Sequence, residues 1–428
     1  MKARLPPART VSVAACVALG AALALWLALT WWAHRRLEAA ERAFEESVGS
    51  PDRVEPPAGP PGGRDTPAGR WLLDGLDALS LSRTERDRLH EIAALPPERW
   101  SAADRNLVTG LARRESEALV LVERAGTSAG LRLPEPLLRT DEVSRRLITL
   151  LHASKLLLAR AELAADGAPV EAGRSVTALG GLAGALQREP ELFHLLIGDA
   201  VETLYLRGVH RLVTSGETPR SALERLRTEL AADGRDPATE RFVRTVRGLA
   251  TDGAGDEAAE ASRGWERLAP WLRDLARASA LESFRWLAEA SRDPEVFLAG
   301  GTAAPGGAGH EPSIPNLTDA VYRLRATREA RRLAGLAVEA RLEALTRGAY
   351  SAARGPRPGP DGPDGPAPEA GPESPVEIGL GDDGSLVLSH PAAAAAWERR
   401  WGGSPSDRRP PPYVWRLPAL REAPEPGS

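Results

Sequence analysis

The sequence predicts a mainly α-helical protein that carries an N-terminal transmembrane helix and ends in a small C-terminal β-hairpin. Three observations carry this prediction: an uncharged apolar stretch at residues 11–32, a succession of helix-capping signals from about residue 70, and one Asp-Gly turn between two β-favouring runs. The composition is that of a folded chain. Of 428 residues, 42% are hydrophobic and 27% charged, which excludes wholesale disorder.

The apolar stretch opens at Val11 and closes on Trp31 and Trp32, 22 residues without a charge. As a helix rising about 1.5 Å per residue it reaches about 33 Å, enough for a hydrocarbon core of about 30 Å. The paired tryptophans stand where an interfacial aromatic belt belongs. A cleaved signal peptide fits less well, because the run exceeds an ordinary h-region and Ala22-Leu23-Ala24 is a weak cleavage site inside it. Val13-Ala14-Ala15-Cys16 has the letters of a lipoprotein box, yet most of the apolar run would follow the cut. Basic residues nearly balance across the span, with Lys2, Arg4 and Arg9 before it and Arg35, Arg36 and Arg42 after it. A short basic tail at residues 1–10 is expected to stay in the cytoplasm, which places the bulk of the chain outside the cytoplasmic membrane.

Helical character continues through residues 33–49, where Gly49 supplies a stop. Residues 50–69 then form a Pro/Gly linker that separates anchor from body. The body, residues 70–354, reads as consecutive helices. Ser82 with Glu85 makes a capping box, Ser101 with Asp104 a second N-cap, and Thr140 precedes a third start at Asp141. Gly167, Gly216 and Gly234 follow helical stretches, and Thr218-Pro219 opens another. The helix beginning at Asp141 places Val143, Leu147, Leu150, Leu151, Leu157, Leu158 and Ala161 on one stripe, with Ile148, Leu156 and Leu163 off it, so it is expected to be central. The last strong helix runs from Thr318, read as its N-cap, to about Tyr350. Such a series suggests an irregular bundle or an array of helical hairpins of the tetratricopeptide kind, although no clean 34-residue period recurs.

Residues 300–315 read as a flexible insertion and residues 355–375 as a second Pro/Gly linker. Beyond it, residues 376–380 and 385–389 flank Gly381-Asp382-Asp383-Gly384, the signature of a hairpin. Residues 376–420 hold Trp397, Trp401, Tyr413, Val414, Trp415 and Leu417, and this apolar content predicts docking on the helical body, with a disordered end at 421–428.

The formal net charge is only -4 and the basic residues are dispersed, so nucleic acid is excluded as a partner. Arginine supplies nearly all of them, with lysine only at Lys2 and Lys155, a bias of GC-rich bacteria. Cys16, the sole cysteine, lies in the apolar run, which removes disulfides and cysteine metal sites. Gly379 to Gly384 spell a dinucleotide fingerprint in letters, but a strand follows where that motif needs a helix. The histidines, His34, His90, His152, His194, His210, His310 and His390, show no metal-ligand spacing. Asn316-Leu317-Thr318 has the form of a glycosylation sequon, and the arginines of the last helix read as a solvated face.

The most site-like group is Asp199, Glu202 and His210 on the helix that starts near Glu191. Asp199 and Glu202 can share a face, whereas His210 lies about 12 Å along the axis from Glu202. A solvated face is the plain reading of the pair, and a polar groove the functional one.

Four segments carry a resemblance: Leu156-Leu157-Leu158-Ala159-Arg160-Ala161 before Gly167, Pro190-Glu191-Leu192, Arg331-Arg332-Leu333-Ala334 leading to Gly348-Ala349-Tyr350, and the tail Asp383-Gly384-Ser385-Leu386-Val387-Leu388. In these the chain resembles a group of uncharacterised bacterial single-pass envelope proteins with a long α-helical body. The tail of that group is similar to parts of pseudopilins, with Ser351 here in place of the expected proline and no prepilin cleavage motif before the span. The resemblance implies an architecture.

The expectation is therefore a membrane-anchored helical binding or scaffold protein of the bacterial envelope, attached through residues 11–32 and engaging a protein partner, with no cofactor and no metal. The alternative is an envelope hydrolase or lytic enzyme that uses carboxylates, with Asp199 and Glu202 as its catalytic candidates.

Overall fold

Three helices start at side-chain caps, Thr66, Ser82 and Ser101. The computed structural model describes residues 8–48, 66–138, 143–189, 192–215, 218–231, 242–243, 246, 270–292, 315–350, 376–401 and 412–419. Among these are twelve helices and one three-stranded antiparallel sheet, so the chain is mainly helical. The linkers expected at 50–69 and 355–375, the insertion at 300–315, the tail at 1–10, the end at 421–428 and the boundaries at Thr140, Asp141, Gly216 and Gly234 lie wholly or largely outside the described residues.

The first helix, α1 (Ala8–Val48), runs without a break through both the apolar stretch and the segment that follows it. Its side chains at residues 8–19 and 22 are outside the description. Among the described residues no helix is long and apolar enough to cross a membrane. Leu23, Leu25, Leu27, Trp31 and Trp32 are all exposed, whereas Ala33, Leu37, Ala40, Phe44 and Val48 form a buried stripe. That second half of α1 is tied to most of α10 (Pro270–Arg292) in one compact unit. Arg36 donates to both carboxylate oxygens of Glu282, at 3.2 and 2.9 Å, and Ser47 donates to Glu289 at 2.8 Å.

The second unit holds α2 (Pro67–Ala78), α3 (Arg83–Ala94), α4 (Ala102–Arg114), α5 (Ser116–Gly126), α6 (Val143–Ala164), α7 (Pro169–Gln187), α8 (Leu192–Ser215), α9 (Arg220–Ala231), most of α11 (Pro315–Arg347) and the C-terminal elements. Ser82 and Ser101 close capping boxes with Glu85 and Asp104 at the starts of α3 and α4, each cap contributing about 1 kcal/mol. α6 meets α2, α3, α4, α5, α7 and α8. Leu147, Leu150, Leu156, Leu157 and Leu158 are fully buried there, because a helix apolar on several sides must be covered on several sides. In a hairpin array each unit touches only its neighbours, so this arrangement is a bundle around α6. α5 and α7 cross backbone to backbone: a Cβ on Gly181 would lie 1.8 Å from the Gly126 carbonyl oxygen.

Thr318 does not cap the last long helix, which starts three residues earlier at Pro315, a residue suited to a first turn. It ends at Gly348, whose φ of 78° allows its N–H to reach back to Ala344 at 2.8 Å.

The expected two-stranded hairpin is part of a larger sheet. β1 (Glu377–Leu380) pairs with β2 (Leu386–Ser389), which pairs with β3 (Val414–Leu417), all antiparallel, in the order β1-β2-β3. Gly384, at φ 76°, makes the turn, and Asp383 accepts from the Ser385 N–H at 3.0 Å. Between β2 and β3 lies α12 (Pro391–Trp401), which begins where the buried His390 ring accepts the Ala393 N–H at 3.2 Å. Alternation along β3 buries Trp415 and Leu417 and exposes Val414 and Arg416. β3 packs on α8, and Tyr413 donates to the Ala326 carbonyl at 3.2 Å.

Candidate functional site

Asp199 and Glu202 are buried, with 6% and 2% of their surface exposed, so neither lies on a solvated face. The reason is that α8 is enclosed by α6, α7 and β3, leaving its polar positions to face cavities or partners inside the bundle. They lie within about 60° of each other around the axis, yet the surrounding helices divide the space on that side. Asp199 lines one cavity and Glu202 another. His210 joins neither pair: its Nε2 is 3.3 Å from the Val414 carbonyl and its ring meets Trp415 edge-on at 4.8 Å.

The Asp199 cavity, about 390 Å³, is built by one-turn pairs on several helices. α8 supplies Asp199, Thr203 and Arg207 at four-residue spacing, α6 supplies Leu151 and Lys155, and α11 supplies Arg323 and Thr327. α3 adds His90, Ala93 and Ala94, and α12 adds Trp397. Arg207 is fixed from behind by Glu162 at 3.4 Å and by the Ala93 carbonyl. Lys155 Nζ is 2.9 Å from His90 Nδ1. Thr327 hydrogen-bonds to the Asp199 carboxylate, but Asp199 Oδ1 has no partner within the protein. Burial pushes the Asp199 carboxyl up to about 6, with Thr327 and Arg323 opposing the rise and Glu202 adding to it. Burial also lowers the Lys155 ammonium. Nearby, burial and the Lys155 charge bring His152 down to about 4.

The second cavity, about 480 Å³, lies beside the α5–α7 crossing. Glu202 is ion-paired with Arg331, which also donates to the Glu229 carbonyl at 2.8 Å. Tyr205 donates to the Glu229 carboxylate at 3.4 Å, and burial raises that carboxyl to about 7. Its acidic groups are thus engaged by neighbours, whereas Asp199 Oδ1 is not.

Sequence reasoning found Asp199 and missed the groups around it. His90 had no histidine at metal spacing to mark it. Lys155 did carry a signal, being the one lysine in a body that otherwise uses arginine. Lysine is the cation whose charge responds to burial. Among the described residues no three His, Cys, Asp or Glu side chains converge as a metal set. No family model, curated protein or solved structure matches the chain.

Proposed function

We propose that the chain is a membrane-tethered helical binding protein of the bacterial envelope, which captures part of a protein partner in the cavity between α3, α6, α8, α11 and α12. The observation that carries the reading is the buried Asp199, one of whose carboxylate oxygens has no partner within the protein, on a cavity wall shared with Lys155 and Arg323. A buried acceptor without a donor costs about 1–3 kcal/mol, a cost removed when a ligand N–H donates to it. Cavities of about 300–1,000 Å³ with apolar walls and a few polar groups are the usual form of ligand sites. Leu151, Leu204 and Trp397 supply the apolar part.

The tether rests on the 22 uncharged residues at 11–32 and on the exposure of Leu23, Leu25, Leu27, Trp31 and Trp32 along α1. A row of large apolar side chains on one exposed helix end is costly in water and favourable in lipid. The resemblance to single-pass envelope proteins with a pseudopilin-like tail supports the same architecture, with the body outside the cytoplasmic membrane.

A photoreactive amino acid in place of Ala200, on the cavity wall, tests the binding function in native membranes. A discrete protein adduct that disappears with Asp199→Leu or Arg323→Ala is expected. No adduct, or one indifferent to both substitutions, would overturn the reading.

The second reading, a carboxylate-dependent hydrolase or lytic enzyme, is favoured by Asp199 alone, whose raised carboxyl shares its cavity with His90 and Lys155. The pairing of Asp199 with Glu202 does not help it, because each lines its own cavity. Turnover of peptide or glycan substrates that vanishes in Asp199→Asn is the result that would support it.

A further inference from the structure

We infer that the cavity occupant is the C-terminal residue of a peptide chain, its carboxylate held by Lys155 and Arg323, its last backbone N–H donated to the Asp199 carboxylate, and its apolar side chain set against Leu151, Leu204 and Trp397. This rests on the binding reading above and adds the chemistry of what is bound.

The wall carries three cations from three helices, Lys155, Arg207 and Arg323, and a single carboxylate, Asp199. Arg207 is already paired with Glu162, which makes it part of the framework. A purely cationic ligand meets Lys155 and Arg323 there, and a purely anionic one meets Asp199. What satisfies both is a group with an anion and an N–H donor a few ångströms apart, and the last residue of a peptide has that form, with one Cα between N–H and carboxylate. Lys155 has donors for it: an ammonium carries three, and the bond to His90 Nδ1 occupies one. Arg323 lines the same cavity as Asp199 and acts on it electrostatically, so one occupant can address both. At about 390 Å³ the cavity is near the small end of ligand sites, a size for a chain end and not for a folded segment. A free amino acid shares the carboxylate and the apolar side chain, but it brings an ammonium in place of a peptide N–H.

The test is a binding titration of the full chain in detergent with four probes: an N-acetylated tetrapeptide ending in Leu with a free carboxylate, its C-terminal amide, its analogue N-methylated at the last peptide nitrogen, and free leucine. The free-carboxylate peptide is expected to bind, with at least a thirtyfold loss for the amide and at least a tenfold loss for the N-methyl analogue. Each loss should be absorbed by its own partner. N-methylation should cost little more in Asp199→Leu or Asp199→Ala, and amidation little more in Lys155→Met or Arg323→Gln. Free leucine competing as well as the peptide would overturn the chain-end assignment, as would equal binding of acid and amide. If none of the probes binds while the Ala200 cross-link still forms and still needs Asp199, the binding function stands and this inference falls. If the cross-link fails as well, both fall together.

Discussion

Replacing Asp199 by Asn should make the protein more stable at pH 8 than at pH 4.5, relative to the wild type. The folded Asp199 carboxyl sits at about 6 against an ordinary value of 3.8, with burial as the main cause. The groups around it are Thr327 and Arg323 on α11, Glu202 on α8, and the Lys155, His90 and Arg207 of the shared cavity. Because the folded value is raised, the native state holds the proton over a range where the unfolded chain has lost it. Stability from this group therefore falls as pH rises from about 4 to about 6, and the full penalty stands above that range. At about 1.4 kcal/mol per tenfold change in proton affinity, the penalty is about 3 kcal/mol. About two thirds of it is relieved at pH 4.5. Asn keeps the shape and cannot ionise, so the advantage of Asp199→Asn over wild type should shrink by about 2 kcal/mol between pH 8 and pH 4.5. That corresponds to roughly 4–8 °C in melting temperature for a domain of this size. Paired thermal or urea unfolding curves of the two full-length proteins at the two pH values measure it, and other titrating groups cancel in the difference. A stability gap that is flat with pH, or that widens toward pH 4.5, would refute the argument that Asp199 is held as an unsatisfied buried acid.

Gly181→Ala should destabilise by more than about 3 kcal/mol, since its new methyl group would meet the Gly126 carbonyl and push α5 from α7, which calorimetry reads directly. Glu123→Ala should cost about 3–5 kcal/mol, because it strips the carboxylate from Arg160, which also donates to the buried Ser175 at 2.9 Å. Adding Arg160→Met to it should restore much of that loss in a urea titration. Trp415→Ala, which empties a fully buried site beside His210, should cost about 3–5 kcal/mol and speed amide exchange through all three strands. A reporter that works only outside the cytoplasm, fused after Ser428, should be active, and a cytoplasm-only reporter at the same point should be silent.

Local chemistry was readable in the sequence where a few adjacent residues decide the outcome. Ser82 and Ser101 cap helices because a hydroxyl and a carboxylate three residues apart satisfy each other's backbone donors. Gly381 to Gly384 turn a hairpin because glycine tolerates the positive φ that the turn imposes. The misses are matters of distance along the chain. β3 was legible as an apolar cluster around Trp415, yet its identity as a strand depends on β2, separated from it by α12. The run of alanines in α12 carries little amphipathic pattern, so nothing but its high intrinsic helix propensity announced it. Asp199 looked solvated because its own helix places it next to other polar residues; what buries it comes from α6 and α11, one before and one far beyond it in sequence. A cavity wall assembled from one-turn pairs on separate helices leaves no contiguous motif to find.

The three buried charges of α8 separate structural from functional use of the same environment. Glu202 is neutralised by Arg331 and Arg207 by Glu162, the condition under which an ion can stay in a protein interior. Were all three present for stability alone, Asp199 would be expected to have the same treatment, and Arg323 already stands on the same cavity wall. Instead one of its oxygens is unpartnered, and the carboxyl is raised despite that cation. A cost of this kind persists when the strained group does something that a relaxed one cannot. Stability and binding should therefore move in opposite directions at this one position. Asp199→Asn should fold more firmly at pH 8 and Asp199→Leu should lose the cross-linked partner, whereas Glu202→Gln, which breaks a satisfied pair in the neighbouring cavity, should fold less firmly and keep it. A Glu202→Gln protein that loses the partner while retaining its stability would move the binding site to the Arg331 cavity and leave Asp199 as a structural residue.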